Sequence, residues 1–435
     1  MLRIGEFVSA TSFCIRSSYS GTMNNATPVL LALLLVCSLP AISIVAASPS
    51  HGASGDVDEQ QSLQQSTTAQ EPSSPVEIEN TSNQLPLTGD IRGSHTVSES
   101  NLGTSFAKTT TQLQVDQQQY VLTERDLDEL DGEDREQRIQ TAYENTKDQI
   151  DALETREREA VLAHQNGDLS DGELVQVLVE NYYEASALEE TLFALQNDDD
   201  IDVVPSQRQQ FRADRTLLEF QTTAIRETLA EANEAGNPNT SYEFRIQTSE
   251  SGYRLSALDG DTYSTETVRF DNRDADAPNR YESIDQMIED ITAQYPWAHD
   301  HGSPHYQDNS LENLYWVDLP HDNGQLDIYV DAGTGDVYRE AQEVSVESLP
   351  TVETETKSTG RIERTFDKTP SIGPTVLTVT EDGSDEPLQA TIRVDGREIG
   401  ATDENGSITY LPPADSYNIT IDGETESVSA PVSNG

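Results

Sequence analysis

Over residues 123–236 apolar side chains recur at intervals of three and four, the spacing of helices that bury one face. On the first helix the inward positions are Ile139, Tyr143, Thr146, Ile150, Leu153, Glu157 and Ala160, with a break expected near Gly132 and an end near His164. A turn over 164–168 follows, and Ser170 with Glu173 forms a capping box for the second helix. Its face is Leu174, Leu178, Asn181, Ala185, Leu188, Leu192 and Leu195. The third opens at Ser206 after Pro205 and carries Phe211, Arg215, Leu218, Thr222, Ile225, Leu229 and Ala232. Three amphipathic helices with short turns predict an antiparallel helical bundle or coiled-coil hairpin over 117–237. The polar intrusions Glu157, Asn181 and Arg215 predict that its stability is modest.

From Ser241 the period changes to two. Tyr242, Phe244 and Ile246 alternate with polar residues, a turn falls at 249–252, and strands are expected at 253–255 and 262–270. An amphipathic helix carrying Ile284, Met287, Ile288, Ile291 and Tyr295 is stopped by Pro296. Strands at 314–319 and 325–330, joined by 320–324, lead into Asp331-Ala-Gly-Thr-Gly335-Asp-Val-Tyr338. One helix on an antiparallel sheet makes this an α+β unit over 241–342. Tyr315, Trp316, Tyr329 and Tyr338 are expected in the sheet core, the alternative being a ligand platform. Strand 325–330 has the most apolar face, and an added strand from a partner is expected there, with Tyr329 among its contacts.

Residues 343–371 are rich in Thr, Glu and Pro and read as a linker. Short strands then follow at 375–380, 389–394, 397–401, 407–411, 416–421 and 424–428, with two-residue hairpin turns expected at Asp395-Gly396 and Asp422-Gly423. Residues 372–430 therefore read as a small β-sandwich. At the other end, residues 29–47 are apolar apart from two serines and a proline, and Val45 and Ala47 suit a secretory cleavage site before Ser48. Residues 1–47 are read as a leader, with a start at Met23 giving a compact form of it; an uncleaved anchor is the alternative. Residues 48–116, rich in Ser, Thr, Gln, Asn and Pro, read as a disordered stalk.

Composition narrows the function classes. Asp and Glu number 79 against 26 Lys and Arg, and the formal net charge is −53. Only Lys108, Lys147, Lys357 and Lys368 are lysines. Such a chain repels phosphate, which disfavours nucleic acid and anionic membranes as partners. The two cysteines, Cys14 and Cys37, lie in the leader, so neither a disulfide scaffold nor a cysteine-based zinc module is possible in the mature chain. Self-repulsion on this scale is screened only near molar salt, where the Debye length is about 3 Å. Acid enrichment with scarce lysine and an intact apolar pattern predicts a salt-adapted protein.

The segment 281–340, with its helix, hairpin and Tyr-Val-Asp-Ala-Gly-Thr-Gly-Asp-Val-Tyr-Arg-Glu-Ala run, resembles the PepSY domain family. Residues 402–413, Thr-Asp-Glu-Asn-Gly-Ser-Ile-Thr-Tyr-Leu-Pro-Pro, resemble the carboxypeptidase-regulatory, transthyretin-like sandwich. The whole layout is similar to haloarchaeal secreted proteins. These resemblances imply extracytoplasmic regulation or protein contact rather than catalysis.

Candidate chemistry is sparse. His299, His301 and His305, with Asp300, Asp308 and His321 near them, are candidate ligands for zinc or nickel, although such a tract also suits a solvated loop. Asp198 to Asp200 with Asp202 is a candidate calcium site or a solvated interhelix loop. Asn80, Asn239, Asn405 and Asn418 each begin a glycosylation sequon. No catalytic triad, phosphate loop or paired-carboxylate motif stands out, and no cofactor is indicated. The expected protein is a non-catalytic, exported envelope protein at the cell surface or secreted, with binding or regulatory modules on a helical spacer. It binds an exported protein or peptide, takes no nucleic acid, and touches a membrane only if the leader is retained. The alternatives are a PepSY-type regulator or inhibitor of an exocellular peptidase, and a metal-dependent hydrolase using the His-rich loop.

Overall fold

The computed structural model describes residues 74–97, 110, 113, 115, 132–197, 205–233, 242–384, 386–424 and 426–433. The leader, Asn239 and the acidic run at 198–202 lie outside the described residues.

Two long helices, α1 (Glu133–Asn166) and α2 (Asp171–Asn197), form the expected hairpin. The buried set of α1 includes Thr146, Ile150, Leu153, Glu157 and Ala160, as the period requires, and Gly132 precedes it in the left-handed region at φ 56°. The capping box forms: the Ser170 N–H donates to Glu173 Oε2 at 2.9 Å, and the Glu173 N–H returns to Ser170 Oγ at 3.4 Å. The third helix is broken into α3 (Pro205–Glu219) and α4 (Ala224–Asn233). Its break is local chemistry. Gln221 and Thr223 turn inward to serve buried charges, and a continuous helix would carry them past those partners.

These helices are no free-standing spacer. They lie across an eight-stranded antiparallel sheet ordered β1-β2-β3-β4-β8-β7-β6-β5, built from β1 (Arg92–Val97), β2 (Glu243–Ser249), β3 (Gly252–Asp259), β4 (Thr262–Arg269), β5 (His305–Asn309), β6 (Leu314–His321), β7 (Gly324–Asp331) and β8 (Val337–Ser345). Val161, Leu174, Leu178, Ile225 and Leu229 from the helices share one core with Phe244, Tyr253, Leu255, Val268 and Tyr329 from the sheet. Burying one stripe per helix against one face of a sheet is what the apolar pattern demands. On the opposite face α5 (Ile284–Gln294) and the short α6 (Pro296–Asp300) cover β6, β7 and β8 through Met287, Ile291, Tyr295 and Ala298.

Three expectations need correction. Strand 325–330 is β7, flanked by β6 and β8, so it has no free edge to accept a partner; Leu326 pairs with Leu319 on one side and Gln342 on the other. Residues 74–97, assigned to a stalk, fold onto the body. Leu85 is fully buried in the α5 core, its N–H donates to Glu340 at 2.8 Å, and β1 pairs with β2 from Arg92↔Thr248 to Val97↔Glu243. Composition misleads here because the sheet and α5 supply partners for the segment's polar groups: Asn83 Nδ2 donates to the Gln294 carbonyl, Gln342 to the Asn83 carbonyl, Arg254 to Gln84 and Arg269 to the Pro86 carbonyl. The linker at 343–371 likewise contains strands, the end of β8 and then β9 (Glu353–Thr359) and β10 (Ile362–Lys368).

The C-terminal sandwich packs one sheet, β14-β11-β10-β9, on another, β13-β12-β15-β16. Its remaining strands are β11 (Thr375–Glu381), β12 (Ala390–Val394), β13 (Arg397–Ala401), β14 (Ser407–Tyr410), β15 (Tyr417–Gly423) and β16 (Ser427–Val432). Phe366, Leu377, Ile392, Tyr410 and Ile421 form the core between them. Asp395 and Gly396 both have positive φ, 48° and 83°, as the two-residue turn requires. Asp422-Gly423 makes no such turn: Gly423 bonds Glu426 across a longer connection, and β16 begins at Ser427. The sandwich is fixed to the large sheet. The Leu411 N–H donates to Glu243 Oε2 at 2.6 Å, Arg245 donates to the Pro412 carbonyl at 3.0 Å, and Leu411 packs with Leu258, Tyr263 and Val344.

Candidate functional site

Where the helices meet the sheet, five ionisable side chains are closed off from solvent: Glu157 on α1, Arg226 on α4, Tyr253 on β3, Glu266 on β4 and Arg339 on β8. Arg226 Nη2 lies 2.7 Å from Glu157 and 3.0 Å from Glu266; Arg339 lies 2.8 Å from Glu157 and 3.1 Å from Glu266. The Tyr253 hydroxyl lies 2.8 Å from Glu157 Oε1 and 2.6 Å from Glu266 Oε1. Two guanidinia against two carboxylates leave no net charge. Burial opposes ionisation of Glu157, but Arg226 and Arg339 outweigh it and bring its pKa down to about 2. Glu266 shifts the same way against the same burial. The set docks the helices and holds them in register, since each charge finds its partner on another element.

Beside this network the helical cover ends. The α3–α4 break leaves a cleft of about 270 Å³ lined by Glu219, Thr222 and Thr223 above and by Trp316, Gln325, Asp327, Tyr329 and Glu343 on the sheet. Trp316 and Tyr329 are stacked at 6.2 Å with 8° between planes, and Phe220 supports Tyr329 edge-on at 4.6 Å. Asp327 Oδ1 accepts the Trp316 indole N–H at 3.2 Å. Asp318 on β6 stands directly opposite Asp327 on β7, and Gln325 directly opposite Glu343 on β8. Like charges at such cross-strand positions repel and cost stability. Burial, then Glu189 and Asp327, against Arg215, push Glu219 up to about 7. Burial, with Asp318 and Glu343 adding to it and the Trp316 hydrogen bond opposing, pushes Asp327 up to about 6. Glu219 Oε2 is enclosed without a hydrogen-bond partner. Arg215, the cation whose charge acts on Glu219, is already bonded to Glu189 at 2.7 Å. The cleft is thus an aromatic floor ringed by under-neutralised carboxylates.

The histidines that were candidate metal ligands do not converge. His299 Nε2 pairs with the Tyr306 hydroxyl at 2.8 Å. His301 stacks on Trp297 at 4.5 Å and bonds the Trp297 carbonyl, while exposed His305 sits 3.6 Å from Asp318. Among the described residues no three His, Cys, Asp or Glu side chains are arranged to hold a metal ion. Asn80, Asn405 and Asn418 are all exposed, Asn80 in a turn with φ 64°. The Asp331-x-x-Thr334-Gly335 run is a self-closing turn: Asp331 Oδ1 accepts the N–H groups of Gly333 and Thr334, and Gly335 adopts φ 79° against Arg280. Reading the sequence alone missed Glu219 and Asp327 as a site, and Arg226, Glu266 and Arg339 as partners of Glu157. The available signal was Glu157 itself, a charge in the middle of an otherwise apolar stripe.

Comparison with known families divides the chain into three stretches, the first of which includes β1 as well as the long helices. Residues 23–239 match a domain of unknown function, DUF7096, and residues 244–350 a family of unknown function, DUF7094. Residues 353–430 match an archaeal fibronectin-III type-like domain. The C-terminal module is fibronectin-III-like. That match starts at the first residue of β9, eighteen residues before the expected end of the linker, and runs through seven strands of the sandwich into the eighth, β16. The chain is an archaeal multidomain protein, with a helical region followed by antiparallel sheets and this β domain. Comparison with curated proteins and with solved structures gave no match. No helix among the described residues is long and apolar enough to cross a membrane.

Proposed function

We propose that this is an exported, salt-adapted envelope protein without catalysis of its own, in which the large sheet and the fibronectin-III-like sandwich act as one rigid platform for binding another exported protein or peptide. The observation that carries the reading is the cleft at the α3–α4 break, where a helical layer stops short over a sheet on which two aspartates, Asp318 and Asp327, stand directly opposite each other. Positions where a local rule is broken at a cost to stability are where functional sites are expected. The apolar run at 29–47 and the charge of −53 support export and a saline medium. Crosslinking of the whole chain in multimolar NaCl, followed by mass spectrometry, tests the reading. A specific partner linked through residues around 219, 316 and 327 supports it; repeated absence of any partner favours a passive spacer.

A second reading is favoured by α5 lying on the β6–β7 hairpin beside the Asp331 turn, the arrangement behind the PepSY resemblance. In that reading, and with the carboxypeptidase-regulatory likeness of the sandwich, the partner is an exocellular peptidase. Purified chain would then change the rate of peptidase activity in the culture medium.

A further inference from the structure

We infer that the cleft at the α3–α4 break is a receptor for one arginine side chain presented by a polypeptide. The inference rests on the binding reading above and names the group bound. Four carboxylates, Glu219, Asp318, Asp327 and Glu343, gather at or beside a cleft whose volume of about 270 Å³ suits one long side chain. Glu219 offers an enclosed Oε2 with no hydrogen-bond partner, an acceptor already stripped of water. The half-buried Trp316 ring, held by its N–H bond to Asp327, presents an aromatic surface beside the same acids. A carboxylate beside an indole face is the combination that a planar guanidinium satisfies, forking onto one and stacking on the other. An ammonium is a compact, strongly hydrated charge and uses the ring less well. A free amino acid would bring its own carboxylate into an acidic cleft and be repelled, which points to an arginine inside a chain.

The test uses the full chain in the salt at which it is folded. The sequence holds two tryptophans, so the Trp297→Phe variant leaves Trp316 as the single tryptophan, excited selectively at wavelengths that tyrosine does not absorb. The probe is Nα-acetyl-arginine amide, with Nα-acetyl-citrulline amide as its uncharged twin and free arginine as the alternative source. A saturable change in Trp316 emission with the arginine amide, at least tenfold weaker with citrulline amide and weaker with free arginine, is expected. Glu219→Gln and Asp327→Asn should each weaken the response about tenfold or more, while circular dichroism stays unchanged. Lowering the pH from 8 to 5 should weaken it too, because Glu219 and Asp327 take up protons over that range; of the other charges around the cleft, Glu189 and Arg215 are already paired, Asp318 accepts from Gln325 at 2.6 Å and lies 3.6 Å from His305, and Glu343 is exposed. No saturable change, an equal response to the citrulline amide, or a response untouched by both substitutions would overturn the inference. If crosslinking still captures a partner in Glu219→Gln, the arginine site is wrong and the binding reading stands. If neither the probe nor a partner binds the unaltered chain, both fall.

Discussion

Glu157 and Glu219 belong to one helical layer yet act on stability with opposite signs. Glu157 is held ionised between two arginines, with a pKa near 2, below its ordinary value. Its contribution is therefore present above pH 4.5 and lost as the pH falls towards 2. Glu219 is raised to about 7, so it favours the fold below pH 4.5 and that support disappears as the pH rises through 7. Replacing Glu157 by Gln leaves Arg226 and Arg339 sharing Glu266 alone and should cost about 3–5 kcal/mol in urea unfolding at constant NaCl. Glu219→Gln at pH 8 should leave the urea midpoint unchanged or higher, and should flatten its dependence on pH between 4.5 and 7. A loss of more than about 1 kcal/mol in that variant would mean that the charge is structural. Tyr329→Asp is expected to undock the helices, because its ring packs against Phe220 and Trp316.

Among the elements, the segment leading into β1 carries the strongest expectation. Leu85→Ala empties a fully buried site under α5 and should cost about 2–5 kcal/mol, with earlier protease cleavage near α5. Wild-type stability in that variant would restore the stalk reading. A proline at Ile328, inside central β7, should abolish the fold outright. The helices and their faces were legible in the sequence, down to Asn181 and Glu157 as inward positions, because a 3.6-residue period is a local property. Strands β11 to β15 were legible for the same reason, through alternation and the Asp395-Gly396 turn. The segment 74–97 was illegible because much of its backbone and many of its polar side chains find partners more than a hundred and fifty residues away. Strands β9 and β10 were hidden because β9 is an edge strand, Glu-Thr-Glu-Thr-Lys-Ser-Thr, whose charges suit an edge and imitate a linker. The cleft was invisible because it arises where a helix predicted as continuous breaks.

For the whole molecule the decisive quantity is charge. With a net −53, folding is expected to need salt: helix measured by circular dichroism should grow between low and multimolar NaCl, and full helicity at 50 mM would remove the case for salt adaptation. Docking of the sandwich should respond separately to pH. Burial pushes Glu243, the acceptor of the Leu411 N–H, up to about 7, so its carboxyl favours the docked state below pH 4.5 and this support is lost as the pH rises through 7. Small-angle scattering of the full chain should therefore show a less compact particle at pH 9 than at pH 6, and Glu243→Gln should cancel the difference.

The bond from Leu85 to Glu340 spans 255 residues. A ribosome working at about 5–20 residues per second needs roughly 13–50 s to make that interval, so the first part of the body to emerge waits that long for its seat. The large sheet cannot close vectorially, from one end to the other. Whatever carries this chain during its synthesis has to shelter an unseated leucine for that interval, and the finished fold then holds it between α5 and β8, elements made long after it.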